Sequence, residues 1–135
     1  MKTNNIKSET ELTNMIVEGA NCGVSLSNHD KAYIEKFCNL EIFIFNETGL
    51  RSAKNLPNLP KLMRIELCYN KIDGGLESFS QYPLLRILKL RYNSIKDFNT
   101  ILPLQKCRQL HHLELFMNPI SEIKGYRRQV FTILE

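Results

Sequence analysis

Short bursts of alternating apolar and polar residues recur along the chain at a near-constant interval. Four stretches line up: LEIFIFNETGL (40–50), LMRIELCYNKI (62–72), LRILKLRYNSI (85–95) and LHHLELFMNPI (110–120). Their starts are 22, 23 and 25 residues apart. Each opens on Leu and places further apolar residues at its fourth and sixth positions. A spacing of two is the period of a strand with one buried face. So short a strand cannot bury its own leucines, but stacked parallel neighbours share one continuous core. A weaker copy, LTNMIVEGA (12–20), carries Leu12, Met15 and Val17 in register. The pattern therefore predicts five parallel strands in one curved sheet.

Written out, the unit is L-x-x-(L/I/F)-x-(L/F)-x-x-(N/T)-x-(L/I), which is the leucine-rich-repeat pattern and period. The predicted fold class is α/β: a leucine-rich-repeat solenoid with its parallel sheet on the concave face and short helices and turns on the convex face. One domain fills the chain, with an N-terminal cap at about 1–26, repeats at about 27–120 and a partial C-terminal cap at 121–135. Asn70, Asn93 and Asn118 hold the ninth position, where the chain leaves the strand. An amide there can satisfy backbone groups of the bend and of the neighbouring repeat. Thr48 stands in for Asn in the first full repeat, so the ladder is expected to be weaker at that end, and Asn93 at its middle to matter more than Asn118.

The segments between strands carry their own signals. SNHDKAYIEKF predicts a capped helix with Tyr33, Ile34 and Phe37 on one side. Two prolines in NLPNLPK exclude a regular helix. GLESFSQYP and TILPLQKCRQ each predict a short helix or helical turns. Asp73-Gly74-Gly75 falls where the chain bends away from its strand. A phosphate-binding loop would need a longer glycine pattern and a following Lys-Ser/Thr, both absent. Ser8-x-x-Glu11 fits a capping box opening a short helix. At the other end Tyr126, Val130 and Leu134 recur at helical spacing with Phe131 beside them, leaving Arg127 and Arg128 wet.

The register also reads out the concave face. Its outward positions are Asn14, Ile16 and Glu18; Ile42, Ile44 and Asn46; Arg64, Glu66 and Cys68; Ile87, Lys89 and Arg91; and His112, Glu114 and Phe116. Tyr69, Tyr92 and Met117 run beside them as a column. The candidate partner-binding set is Ile42, Ile44, Arg64, Glu66, Tyr69, Lys89, Arg91, Tyr92, His112, Glu114 and Phe116, because exposed aromatics beside Arg make binding hot spots and neighbouring exposed isoleucines invite contact. Arg64, Lys89 and Arg91 predict a basic centre, with Glu66 and Glu114 neutralising it only in part.

Composition narrows the function class. Apolar content of 43% supports a core. No stretch approaches the ~18 apolar residues of a membrane span, and the polar start lacks the apolar block of a secretory signal, which predicts an intracellular protein without membrane contact. Cys22, Cys38, Cys68 and Cys107 form no CxxC pair, and the three histidines show no ligand spacing, so neither a metal nor any other cofactor is expected. No Ser or Cys sits at a nucleophile elbow, and Glu66 and Glu114 are separated by a repeat carrying Lys89, so the chain does not read as an enzyme. The net charge is +4, and the excess is one-sided: residues 61–135 hold 12 Lys/Arg against 7 Asp/Glu. That asymmetry hints at an acidic partner.

Further residues carry a resemblance. Gly74-Gly75-Leu76-Glu77, then Ile95-Lys96-Asp97, Thr100-Ile101-x-Pro103-Leu104, Leu115-Phe116 and Tyr126-Arg127-x-x-Val130-Phe131 follow in an order that resembles the acidic leucine-rich nuclear phosphoprotein 32 family over about residues 40–131. The resemblance implies residence in nucleus and cytoplasm, binding and chaperoning of histones or other basic proteins with the help of an acidic tail beyond Glu135, and inhibition of a protein phosphatase. A monomer is expected. The alternative is a structural ribonucleoprotein subunit similar to the spliceosomal A-prime repeat protein, whose concave face holds an RNA-binding partner protein; Asn118-Pro119 and the basic second half suit it.

Overall fold

The computed structural model of the chain describes residues 8–135, so the first part of the predicted N-terminal cap, 1–7, lies outside the described residues. Five parallel strands follow one another in space as in sequence: β1 (Asn14–Glu18), β2 (Ile42–Asn46), β3 (Arg64–Glu66), β4 (Ile87–Lys89) and β5 (His112–Glu114). The pairing sets Met15, Phe43, Ile65, Leu88 and Leu113 in one row facing the core. The weak copy at 12–20 is thus a true repeat, and β1 is as long as β2.

Inward positions stack into columns. Leu40, Leu62 and Leu85 form one; Phe45, Leu67, Leu90 and Leu115 a second; Leu50, Ile72, Ile95 and Ile120 a third, and all are buried. Each such side chain contributes about 1.5–3 kcal/mol through lost apolar surface. Leu110 and Leu113 hold equivalent positions in the last repeat but are only half-buried, because no further repeat covers them.

The convex returns follow their local sequence. Ser27 caps α1 (Asn28–Glu35), its hydroxyl accepting from the Asp30 N–H at 3.0 Å. Ile34 and Phe37 are buried, but Tyr33 is exposed and meets Phe37 edge-on at 5.5 Å, so the predicted apolar side is narrower than its spacing implied. Residues 55–61 form no helix. Leu76–Gln81 is a 3-10 helix, and α2 (Phe98–Ile101) continues into a second at Leu102–Lys106. Asp97 caps α2 through the Thr100 hydroxyl and N–H, which hold its carboxyl below the usual range. Ser8 N–H does reach Glu11 Oε2 at 3.3 Å, but Glu11 N–H returns to the Ser8 carbonyl and closes a turn. The expected helix is absent because β1 begins three residues later.

Two devices turn the chain in every repeat. After each strand one residue is left-handed: Gly19, Glu47, Tyr69, Tyr92 and Met117, with φ between 55° and 75°. Non-glycine residues hold this conformation at a cost of about 1–2 kcal/mol, and the next residue offsets it. Asn93 donates to the carbonyls of Leu67 (2.8 Å) and Leu90 (3.0 Å) and accepts from the Ile72 N–H (3.0 Å). Asn118 repeats the pattern with Leu90, Leu115 and Ile95. Asn118 is 1% exposed and Asn93 7%, and the two side chains make equivalent bonds. The Thr48 carbonyl accepts from the Cys22 N–H of the repeat before it at 2.9 Å, but its side chain reaches only Phe45 O and Asn70 Oδ1 among the described residues, so the side-chain ladder does weaken there.

Before each strand a tight turn brings the chain back. The N–H groups of Leu40, Leu62, Leu85 and Leu110 bond the carbonyls of Phe37, Leu59, Tyr82 and Cys107. The tips are Cys38-Asn39, Pro60-Lys61, Pro83-Leu84 and Arg108-Gln109. Proline suits the first tip position because its fixed φ matches that of the turn.

Candidate binding face

Residues whose side chains point away from the core form three rows across the concave face. Asn14, Ile42, Arg64, Ile87 and His112 make the first; Ile16, Ile44, Glu66, Lys89 and Glu114 the second. Asn46, Cys68, Arg91 and Phe116 continue the third beyond the short strands. The register read from the sequence holds at every paired strand position, although Cys68, one of the outward positions it named, is buried at 1% exposure.

Ile16, Ile42 and Ile44 form an apolar corner on β1 and β2. Ile16 is 63% exposed, more than either residue of the predicted pair. The register given by Leu12, Met15 and Val17 places Ile16 among the outward residues, but the candidate set leaves it out. Asn46 clamps three strands: its Nδ2 donates to Glu18 Oε1 (3.2 Å), and its Oδ1 accepts from the Cys68 N–H (2.8 Å).

The charged centre differs from expectation. Arg64 Nε donates to Glu66 Oε2 at 2.8 Å, and Glu66 is buried. Glu114 gathers three partners: His112 Nε2 at 3.0 Å, Arg91 Nε at 3.1 Å and Lys89 Nζ at 3.6 Å. The Arg91 and Glu114 atoms are close but not aligned for a hydrogen bond, so theirs is an ion contact. Partial burial pushes the Glu114 carboxyl up, yet the His112 hydrogen bond and the charges of Lys89 and Arg91 outweigh it and hold the group below its ordinary range. Every cation predicted to make this patch basic is engaged by a carboxylate of the same face. The side chains repeat a cation–anion alternation from strand to strand, so no free basic patch remains here.

An aromatic column runs beside the outward rows, with Tyr69 and Phe116 exposed and Tyr92 half-buried between them. Tyr69 and Tyr92 stack with ring centroids 4.4 Å apart and planes 10° apart. Tyr92 meets Phe116 edge-on at 5.9 Å, and Phe116 is 56% exposed. The left-handed backbone at Tyr69 and Tyr92 turns both rings onto the rim of the sheet. Phe116 borders a groove of about 650 Å³ between β5 and α3 (Tyr126–Leu134), lined also by Leu113, Tyr126, Val130 and Phe131. Phe131, which stands beside the Tyr126, Val130 and Leu134 row in the sequence, is 70% exposed. Among the described residues, no group of three or more His, Cys, Asp or Glu could hold a metal ion, and no helix is long and apolar enough to cross a membrane.

Comparison with known proteins bears on the fold and its lineage. No protein-family profile matches the chain. Two curated proteins, each named acidic leucine-rich nuclear phosphoprotein 32 family member A, one from Drosophila pseudoobscura pseudoobscura and one from Drosophila melanogaster, are 35% identical over 100 residues, 74% of this chain. The chain spans only 38% of the length of these relatives. Among solved structures, one from the Drosophila melanogaster SNF/U2A′ complex superimposes with a TM-score of 0.70 at 23% identity, covering 87% of this chain and 66% of that one. Its likeness bears on the fold alone. The repeats, the Gly-Gly-Leu-Glu bend and the identity to named relatives converge: the chain is a leucine-rich-repeat domain belonging to the acidic leucine-rich nuclear phosphoprotein 32 family.

Proposed function

We propose that this domain is a protein-binding module of a nuclear protein and that its concave face, from the Ile16–Ile44 corner to the Tyr69–Tyr92–Phe116 column, is the contact surface. The observation that carries the reading is that column. Stacked rings held on rigid bends present large apolar area at little further entropic cost, and such residues dominate binding energy. The ion pairs around Glu66 and Glu114 leave the face nearly neutral, so it discriminates by shape and apolar fit more than by net charge.

Histones or other basic proteins are the partner class we propose, with inhibition of a protein phosphatase as a related activity. Both rest on family membership. In this reading the concave face grips the folded part of the partner, and acidic residues outside this domain hold its basic segments. The second reading is a structural subunit of a ribonucleoprotein, in the manner of the neighbour found in the SNF/U2A′ complex. Its support is the basic excess of residues 61–135, which a histone would not favour.

The test is a binding titration of core histones against the full-length protein and its Tyr92→Ala/Phe116→Ala variant. Loss of two hot-spot rings should weaken binding about tenfold or more, with the melting temperature little changed. Undiminished binding by a folded variant would remove the concave face as the contact surface. If the full-length protein ignores histones yet binds a ribonucleoprotein protein through the same rings, the second reading replaces the first.

A further inference from the structure

The basic excess, absent from the concave face, is found on the rim where the chain approaches each strand. The tight turns there stack one above another, repeat by repeat. From the second of the four tight turns to the last, residues 57–63, 81–87 and 105–111 contain Lys61, Arg86, Lys106, Arg108 and His111 and no Asp or Glu. All five basic residues are exposed. None of the five forms an ion pair among the described residues, whereas Arg64, Lys89 and Arg91 all do.

Backbone bonds set the row in order. The Arg86 N–H donates to Met63 O and the His111 N–H to Arg86 O, so these residues sit side by side immediately before β3, β4 and β5, about 4.8 Å apart. Lys61, Leu84 and Gln109 share the second tip of successive turns. Leu84 is 42% exposed, between the repeats carrying Lys61 and Arg108. Beneath it the platform is fixed: Tyr82 is buried, and its hydroxyl donates to the Pro57 carbonyl of the preceding repeat at 2.6 Å. The row's own segments carry no carboxylate, and the one that reaches into them, Glu35, does so at the first of the three, away from Leu84 and Arg86 in sequence. Glu41 holds the Met63 position one repeat earlier, Glu35 is bonded to the Asn58 N–H, and Glu135 lines the groove beyond His111.

We propose that this rim, centred on Leu84 and Arg86, docks an acidic peptide segment that carries an aliphatic side chain. The cations supply attraction and orientation, and Leu84 beside Pro83 supplies a small apolar anchor. A nucleic acid fits less well, because single strands are held by stacking on aromatic rings. The stacked Tyr69–Tyr92 pair and Phe116 lie on the opposite rim, after the strands, and the other exposed rings, Tyr33 and Phe131, stand singly on α1 and α3. The site is separate from the concave face, so either can fail without the other.

The experiment titrates residues 1–135 at low salt with a fluorescein-labelled peptide of Asp and Glu around one central leucine. A serine-for-leucine version of the peptide and a single-stranded RNA of similar length run beside it. Arg86→Glu/Arg108→Glu should lower peptide affinity about tenfold. Lys124→Glu/Arg128→Glu, the same charge change at the C-terminal cap, should lower it less than about twofold. Leu84→Ser, or the serine peptide, should each cost about threefold. All these sites are exposed, and melts confirm that the variants fold. The proposal is overturned if wild type does not bind the peptide or if both double variants lose affinity equally. It is also overturned if RNA binds the rim more tightly than the peptide, which would make the occupant a nucleic acid.

Discussion

Gly75 and Gly74 look alike in the sequence and differ in the structure. Gly75 sits at φ 78°, and a Cβ there would fall 2.5 Å from Ser52 Oγ and 2.8 Å from the Lys54 backbone nitrogen. Gly74 has open space and no positive φ, and its carbonyl accepts from Ala53 N–H. Gly75→Ala is therefore expected to destabilise by about 2–3 kcal/mol through strain and collision with backbone. Gly74→Ala should shift stability by less than about 0.5 kcal/mol. Urea melts of the pair decide it, and equal shifts would mean that the turn relaxes freely. Glu114 offers a second test at this scale. Its folded pKa is lowered, so the stability it contributes is fully present above its ordinary value of 4.5 and is lost as pH falls through the lower folded value. Glu114→Gln should be less stable than wild type at neutral pH, with the gap narrowing below pH 4.5. A gap that stays constant into acid would show that the ion contacts contribute nothing net.

Among the elements, α3 is the least secured. It starts at Gly125 without a side-chain cap, and none of its residues is fully buried. Tyr126, Val130, Ile133 and Leu134 only lean on the core, and one side-chain bond, from Gln105 Nε2 to the Ile133 carbonyl (2.8 Å), ties its far end. By contrast α1 has the Ser27 cap and buries Ile34. Low local burial lowers the free energy of local opening. Hydrogen exchange on residues 1–135 should therefore find α3 the fastest-exchanging helix. Protection equal to that of β3 and β4 would contradict this. Phe131→Ser should leave the melting temperature within about 1 °C in the same molecule, since a surface site changes stability little.

At the scale of the molecule, each repeat contacts only its neighbours, so stability is greatest where a repeat has two. Leu88 and Leu113 occupy the same position on β4 and β5, yet Leu88 is fully buried and Leu113 half-buried. Leu88→Ala should cost about 3–4 kcal/mol, including the cavity it leaves, and Leu113→Ala about half as much. Denaturant midpoints of the two variants measure the difference. Equal costs would mean that α3 closes the end of the stack as well as a further repeat does. The same geometry divides the surface by chemistry: stacked rings on one rim, cations unpaired among the described residues on the other, and paired charges between them.

The repeat, the strand register and the outward set were legible in the residue pattern, because each depends only on periods of two residues and about 23 residues that local sterics and burial enforce. It also located the bends, since Asn and Gly act on their own backbone. It could not tell Gly74 from Gly75, because that distinction rests on Ser52 and Lys54, about a repeat away. Nor could it say that Arg64, Lys89 and Arg91 are engaged, because Glu66 and Glu114 reach them only when strands adjoin or when neighbouring side chains on one strand turn toward each other. Tyr33 and Phe131 fit helical spacing but stand clear of the core, since how far a helix leans onto its neighbours is set by packing across the stack. Pattern fixes which way a side chain points; only the assembled repeats decide what it meets there.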